Sequence, residues 1–155
     1  MKLNMKIFDS MKKTLSYMVS LAAAALMAMT AVNAQMKDFT IRILSTKEFC
    51  EKVYDINADE LKYKGEKPAI VDFYADWCGP CRAIAPVLQE LADKYGDEIV
   101  IYKVNIDNSP ELAQAFGIRS IPAVMYIPLK GEPAMTLGAR DKAKFEKEIA
   151  AYLKK

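Results

Sequence analysis

Residues 69–75 read AIVDFYA, six apolar residues around one carboxylate. A strand with one wet face alternates apolar and polar side chains; a near-continuous apolar strand has to be covered on both faces. This run therefore belongs in the middle of a sheet with helices packed on each side. The carboxylate it carries, Asp72, is out of place by the same logic. Burying it is costly, and burial raises its pKa. Directly after the run come two cysteines three apart, in ADWCGPCRAIAP, residues 75–86.

The rest of the chain alternates in period around this strand. Residues 39–44 (FTIRIL) alternate as a strand. Ser45 then caps a helix, with Glu48 completing a capping box and Leu44 and Phe49 placed as the flanking staple. Phe49, Val53 and Ile56 share one helical face, and the polar residues 57–67 read as a surface loop. A helix is predicted over 80–95, with Ile84, Val87, Leu88 and Leu91 at helical spacing and a kink at Pro86. Residues 99–106 (IVIYKVNI) form the next strand. Ser109-Pro110-Glu111 opens a short helix with proline at its first position, and Gly117 closes it. Residues 123–129 and 134–137 make a hairpin around Lys130-Gly131. Asp141 begins a last helix with Phe145, Ile149 and Leu153 on one face. The order βαβαβαββα predicts a single α/β domain, a mixed central sheet with helices on both faces.

The first 34 residues have another character. Lys12 and Lys13 precede an apolar, small-residue run from Leu15 to Ala31, and Val32-Asn33-Ala34 supplies small residues where a signal peptidase reads. The expectation is a secretory signal peptide, residues 1–34, followed by a mature domain, residues 35–155. Met11 is an alternative start, since MKKTLSYM opens such a signal by itself. The apolar run is Ala-rich and at the short end of the ~20 residues a spanning helix needs, which weighs against an uncleaved anchor. Gln35, where a lipoprotein would have cysteine, offers no lipid attachment. The segment holds a charge of +3 of the chain's +2, so the mature part is −1. The basicity belongs to the leader, and no basic patch argues for nucleic acid. The expected location is outside the cytoplasm, as in a bacterial periplasm, where disulfides are tolerated.

Cys50, Cys78 and Cys81 are the three cysteines, and histidine is absent. A structural zinc site wants four Cys or His ligands, so one chain cannot build an ordinary one. A structural staple between Cys78 and Cys81 is geometrically suited to an i, i+3 pair, yet closes so small a loop that it stabilises little. Redox chemistry fits better. Cys78 falls where a helix begins, so free N–H groups and the positive dipole end favour its thiolate, the nucleophilic form. Cys81, a turn further in, is expected to be shielded behind an exposed Cys78. Gly79 would let the chain turn tightly, and Pro80 sits in a first helical turn, where its missing N–H is no loss.

WCGPCR, residues 77–82, resembles the active site of the thioredoxin family. So do Val71-Asp72-Phe73 as its central strand with a buried acid, Ala85-Pro86 as its helix kink, and Lys103-Val104-Asn105-Ile106-Asp107 as the next strand. Phe116 to Pro122 (FGIRSIP) resembles the approach to the family's cis-proline; Lys130-Gly131 and Gly138-Ala139 resemble its last hairpin. The likeness runs in register from about Phe39 to Lys155. It implies the thioredoxin fold and a thiol–disulfide oxidoreductase whose only redox group is the Cys78–Cys81 disulfide, with no other cofactor and no metal. Cys78 would attack the substrate disulfide and Cys81 would resolve the mixed disulfide. Asp72 would accept the Cys81 proton with Lys103 as its partner. Pro122 would be cis, facing the cysteines and leaving the Ile121 backbone free to pair with a substrate. Trp77, Gly79, Pro80, Ile121, Pro122 and Gly138 would form the substrate surface. Cys50 is expected to be a buried spectator.

The Gly-Pro pair between the cysteines resembles the reducing members more than the oxidising ones. The expected partners are disulfide-containing proteins and, for an exported reductase, a membrane-bound electron donor; the expected state is a monomer. The rival readings are an exported oxidant or isomerase, and a binding module that uses the apolar patch without turnover. Two features depart from the family pattern. Pro128, inside the predicted strand MYIPL, would remove a ladder donor and suggests an edge or bulge. The 57–67 loop is long and polar.

Overall fold

The computed structural model describes residues 41–154 except 97, so the predicted signal peptide lies outside the described residues. Nine elements follow in the predicted order: β1 (Arg42–Ile43), α1 (Thr46–Lys52), β2 (Ala69–Tyr74), α2 (Gly79–Tyr95), β3 (Val100–Asn105), α3 (Pro110–Ala115), β4 (Ala123–Ile127), β5 (Ala134–Leu137) and α4 (Lys142–Tyr152). The sheet order is β1-β3-β2-β4-β5. β1, β3 and β2 run parallel, and β4 and β5 are antiparallel to their neighbours. AIVDFY is thus the middle strand, and five of its six side chains are buried.

The two faces of the sheet carry separate cores. Val71 and Phe73 of β2 meet Phe49 of α1 and Leu112 of α3 on one face, with Val104, Ala123 and Met125. Ile70 meets Ile84, Leu88 and Leu91 of α2 and Phe145 and Ile149 of α4 on the other, with Val124 and Tyr126. The alternation of side chains along β2 sends Asp72 to this second face, with Ile70.

Local signals explain the element ends. Ser45 and Glu48 form the reciprocal capping box at α1, and Leu44 and Phe49 are both buried. α2 runs on through Pro86, which is exposed. α3 ends in a Schellman motif: Ile118 N–H donates to the Ala113 carbonyl at 2.8 Å and Gly117 N–H to that of Gln114 at 3.1 Å. Gly117 has φ +63°, and a Cβ there would meet nothing within 4 Å. Gly117→Ala is therefore expected to destabilise by about 1–2 kcal/mol through backbone conformation alone. A denaturation midpoint that moves with an unchanged slope checks it.

Three expectations need correction. Of the strand expected over 39–44, residues 39 and 40 lie outside the described residues, and among the rest only Arg42–Ile43 form β1: it is an edge strand held by β3 alone, both of its side chains are exposed, and pairing fades after the Leu44 N–H bond to the Lys103 carbonyl. Pro128 lies one residue beyond β4, so it ends the strand and takes no donor from the ladder. The helical face of α1 stops short of Ile56, because the helix ends at Lys52; Val53 is its cap, and Ile56 packs on the same core from the loop. The polar 57–67 segment is a loop, pinned by Tyr63 OH on the Lys67 carbonyl at 2.6 Å and by Lys64 Nζ on the Cys50 carbonyl at 2.6 Å.

Candidate active site

At the end of β2 the chain turns through Ala75, Asp76 and Trp77 and delivers Cys78 to the N-terminus of α2. Cys78 is the cap residue itself, with extended backbone, and its sulfur accepts the Cys81 N–H at 3.1 Å. No acidic residue lies in the first turn to oppose the positive end of the helix. Cys78 and Cys81 form a disulfide, with Cα atoms 5.3 Å apart.

Cys78 is not the exposed partner the sequence predicts. In this disulfide form it is 4% exposed and Cys81 1%. The cover comes from Ala75 and from the half-buried Tyr74, Ile106 and Ile121, which pack around the cysteine pair from three segments of the chain. Gly79 and Pro80 are exposed between them. Gly79 does not have the left-handed backbone of Gly117, and a Cβ there would approach only the far end of Arg82, at 3.9 Å. A tight turn is thus not what requires glycine at this position. Its bareness leaves the backbone beside the disulfide uncovered.

The Ile121–Pro122 peptide is cis. Ile121 precedes β4 and stands outside its ladder. The Pro122 carbonyl accepts the Gly138 N–H at 2.8 Å, which draws the β5–α4 connection beside the cis loop. Gly138 has φ +86°, a left-handed conformation that favours glycine. Trp77 is 69% exposed, and its indole N–H donates to Asp107 Oδ2 at 2.9 Å, so the ring is held in place. Leu137, next to Gly138, is exposed as well. Sequence reasoning passed over it, although the alternation of AMTL puts Met135 and Leu137 on the same side.

Asp72 is fully buried on the α2 side of the sheet. Its register partner on β3 is Lys103, whose Nζ lies 3.5 Å from Asp72 Oδ2 and 4.2 Å from the Tyr74 ring centroid. Neither carboxylate oxygen has a well-aligned hydrogen-bond donor. Burial pushes the carboxyl up to about 6, against the opposing pull of Lys103 and, less strongly, Arg140. A group near pH 6, on the sheet face that the cysteine-bearing helix covers, is suited to taking a proton near neutrality. Cys50, expected to be buried, is half-buried and unbonded. Among the described residues no group of three or more His, Cys, Asp or Glu could hold a metal ion.

A cysteine pair whose first sulfur caps a helix passes two electrons readily to or from a second disulfide. By fold and site this is a thiol–disulfide oxidoreductase whose redox group is its own cysteine pair. The thioredoxin family profile matches residues 41–151. The chain is 38% identical over 110 residues to a thioredoxin of Borreliella burgdorferi, covering 70% of this chain and 94% of that protein. It is 44% identical over 101 residues to the chloroplastic M-type thioredoxin of Pisum sativum, covering 65% of this chain and 59% of the pea protein. A thioredoxin of Alicyclobacillus acidocaldarius is 43% identical over 91 residues, covering 58% of this chain and 86% of its own. The chain belongs to the thioredoxin family.

Proposed function

We propose that the protein is an exported thioredoxin that reduces disulfides in other proteins. The observation that carries this is Cys78 capping α2, with its sulfur on the Cys81 amide and a buried Asp72 on the face that α2 covers. In the dithiol form the Cys78 thiolate attacks one substrate sulfur; the mixed disulfide forms and the first substrate thiolate leaves. Cys81 passes its proton to Asp72, held beside Lys103, and attacks Cys78; the Cys78–Cys81 disulfide closes and the second substrate thiolate leaves. Two electrons have moved to the substrate. Trp77, Gly79, Pro80, Ile121, Pro122 and Gly138 form the surface on which the substrate strand docks.

The N-terminal leader supports export to a periplasm-like compartment. Cytosolic reductases do not reach a protein there, so its disulfide is re-reduced by a membrane-bound donor. It acts as a monomer on protein substrates and not on nucleic acid. The deciding measurement is the reduction potential. A value near about −270 mV supports a reductase, and one toward about −120 mV means an oxidant. Reduction of insulin that survives Cys78→Ser with Cys81→Ser would leave only a binding module. For the leader, expression in an exporting bacterium should give a processed protein whose N-terminal residue is Gln35. An uncut chain in the cytoplasmic fraction removes the export reading.

A further inference from the structure

Among the described residues, two charged side chains are buried, Asp72 and Arg140, and both lie on the α2–α4 side of the sheet. Arg140 leaves the β5–α4 connection two residues after Gly138. Its Nε lies 3.1 Å from Glu148 Oε2, with the arginine side chain 1% exposed and the glutamate 12%. Tyr126 of β4 donates its hydroxyl to the same Glu148 oxygen at 2.5 Å. The guanidinium stands 5.5 Å from the Phe145 ring, and Nη2 donates to the Leu137 carbonyl at 3.1 Å. Nη1 is buried without a partner. Tyr126 is two residues along β4 from Val124, the register partner of Asp72, and so shares its face.

A buried cation that shares its counter-ion with a phenol lies on the same face as a buried carboxylate that lacks a hydrogen-bond donor, so its field reaches that carboxylate through the layer. In a low-dielectric layer such fields are weakly screened. We propose that Arg140 is a positioning residue for the exchange reaction: a buried cation that, together with the partly exposed Lys103, holds Asp72 ionised, its strength metered by Glu148. The inference rests on the reading of Asp72 as the acceptor of the Cys81 proton. Arg140 does act on Asp72 in the lowering direction, as Lys103 does. Among the described residues, Lys103 and Arg140 are the cations that act on Asp72. β4 contributes Val124 and the phenol of Tyr126 to this face, α2 contributes Ile84, Leu88 and Leu91, and α4 contributes Glu148. The same guanidinium ties down Leu137, so it joins the docking loop to the buried carboxylate layer.

Two substitutions separate charge from structure. In the reduced protein, the Asp72 carboxyl is titrated by ¹³C NMR. Arg140→Met is expected to move its midpoint up by about one pH unit. Glu148→Gln, which frees Arg140 from its counter-charge, is expected to move it down, and Arg140→Lys to leave it near the parent value. A merely structural triad loses stability with either substitution and gives no opposed shifts. Midpoints that stay put, or move in the same direction, overturn the inference. Should Arg140→Met fail to fold, the downward shift in Glu148→Gln and the near-parent value in Arg140→Lys still decide it. The resolution rate of a mixed disulfide at pH 6 is then measured. If the midpoints move as expected and this rate does not follow, the Asp72 acceptor role falls, and with it the bearing of Arg140 on catalysis.

Discussion

Cys78→Ser is expected to lower the rate of insulin disulfide reduction by several orders of magnitude, to the level of the buffer thiol alone. The reason is specific to the first step: serine keeps the helix cap but cannot attack a disulfide sulfur as a thiolate does. Cys81→Ser should behave differently. Attack still occurs, but no second sulfur displaces the substrate, so a covalent adduct through Cys78 accumulates. Non-reducing gels followed by mass spectrometry distinguish the two, because only the second variant carries substrate. An adduct on Cys81 in the Cys78→Ser protein would reverse the order of roles. The cap geometry favours the proposed order. Cys78 sits on the helix end with its sulfur on an amide, and Cys81 lies a turn deeper behind it.

The second large effect concerns stability. Asp72 titrates at about 6 in the fold, against an ordinary value of 3.8. Between these values the folded protein keeps a proton that the unfolded chain has lost, so stability falls as pH rises from about 4 to 6. The loss is complete above the folded value and amounts to about 3 kcal/mol. Asp72→Asn carries no charge to bury and should flatten that stretch of the stability curve, leaving the variant more stable than the parent at pH 8. The same variant should resolve mixed disulfides more slowly at neutral pH, since Cys81 has lost its proton acceptor. Urea unfolding at pH 4, 6 and 8 checks the first part. A variant that is less stable than the parent at pH 8 would show that Asp72 is well satisfied in the fold. The pairing of a stabilising change with a slower step would mark Asp72 as retained for chemistry.

Most of the architecture was legible because it is written in short-range signals. The apolar run 69–75 required a central strand, Ser45 with Glu48 marked one helix start, and Gly117 marked another helix end. The cysteine pair was legible because its two residues and the proline between them are contiguous. What was missed comes together only through space. Tyr126, Arg140 and Glu148 each read as ordinary for a strand, a turn and an amphipathic helix, and none signals a buried triad until β4, the β5–α4 connection and α4 are side by side. The cover over Cys78 is also long-range. Ile121 packs on the cysteine pair from a distant segment of the chain, beyond the whole of β3 and α3, so no local pattern could show that it would be shielded. The short β1 reflects a related limit: alternation in FTIRIL describes strand preference, but an edge strand extends only as far as its single neighbour holds it.

The sheet keeps its two apolar layers apart, one under α1 and α3 and the other under α2 and α4. Substitutions with no shared partners combine close to additively, whereas those in contact do not. Ile106 is the bridge, since it packs both on the α1–α3 layer and on the cysteine pair; away from it, drift in that layer can accumulate with little epistasis toward the redox chemistry, and a designer wishing to graft new recognition onto this scaffold has that part of the molecule at liberty.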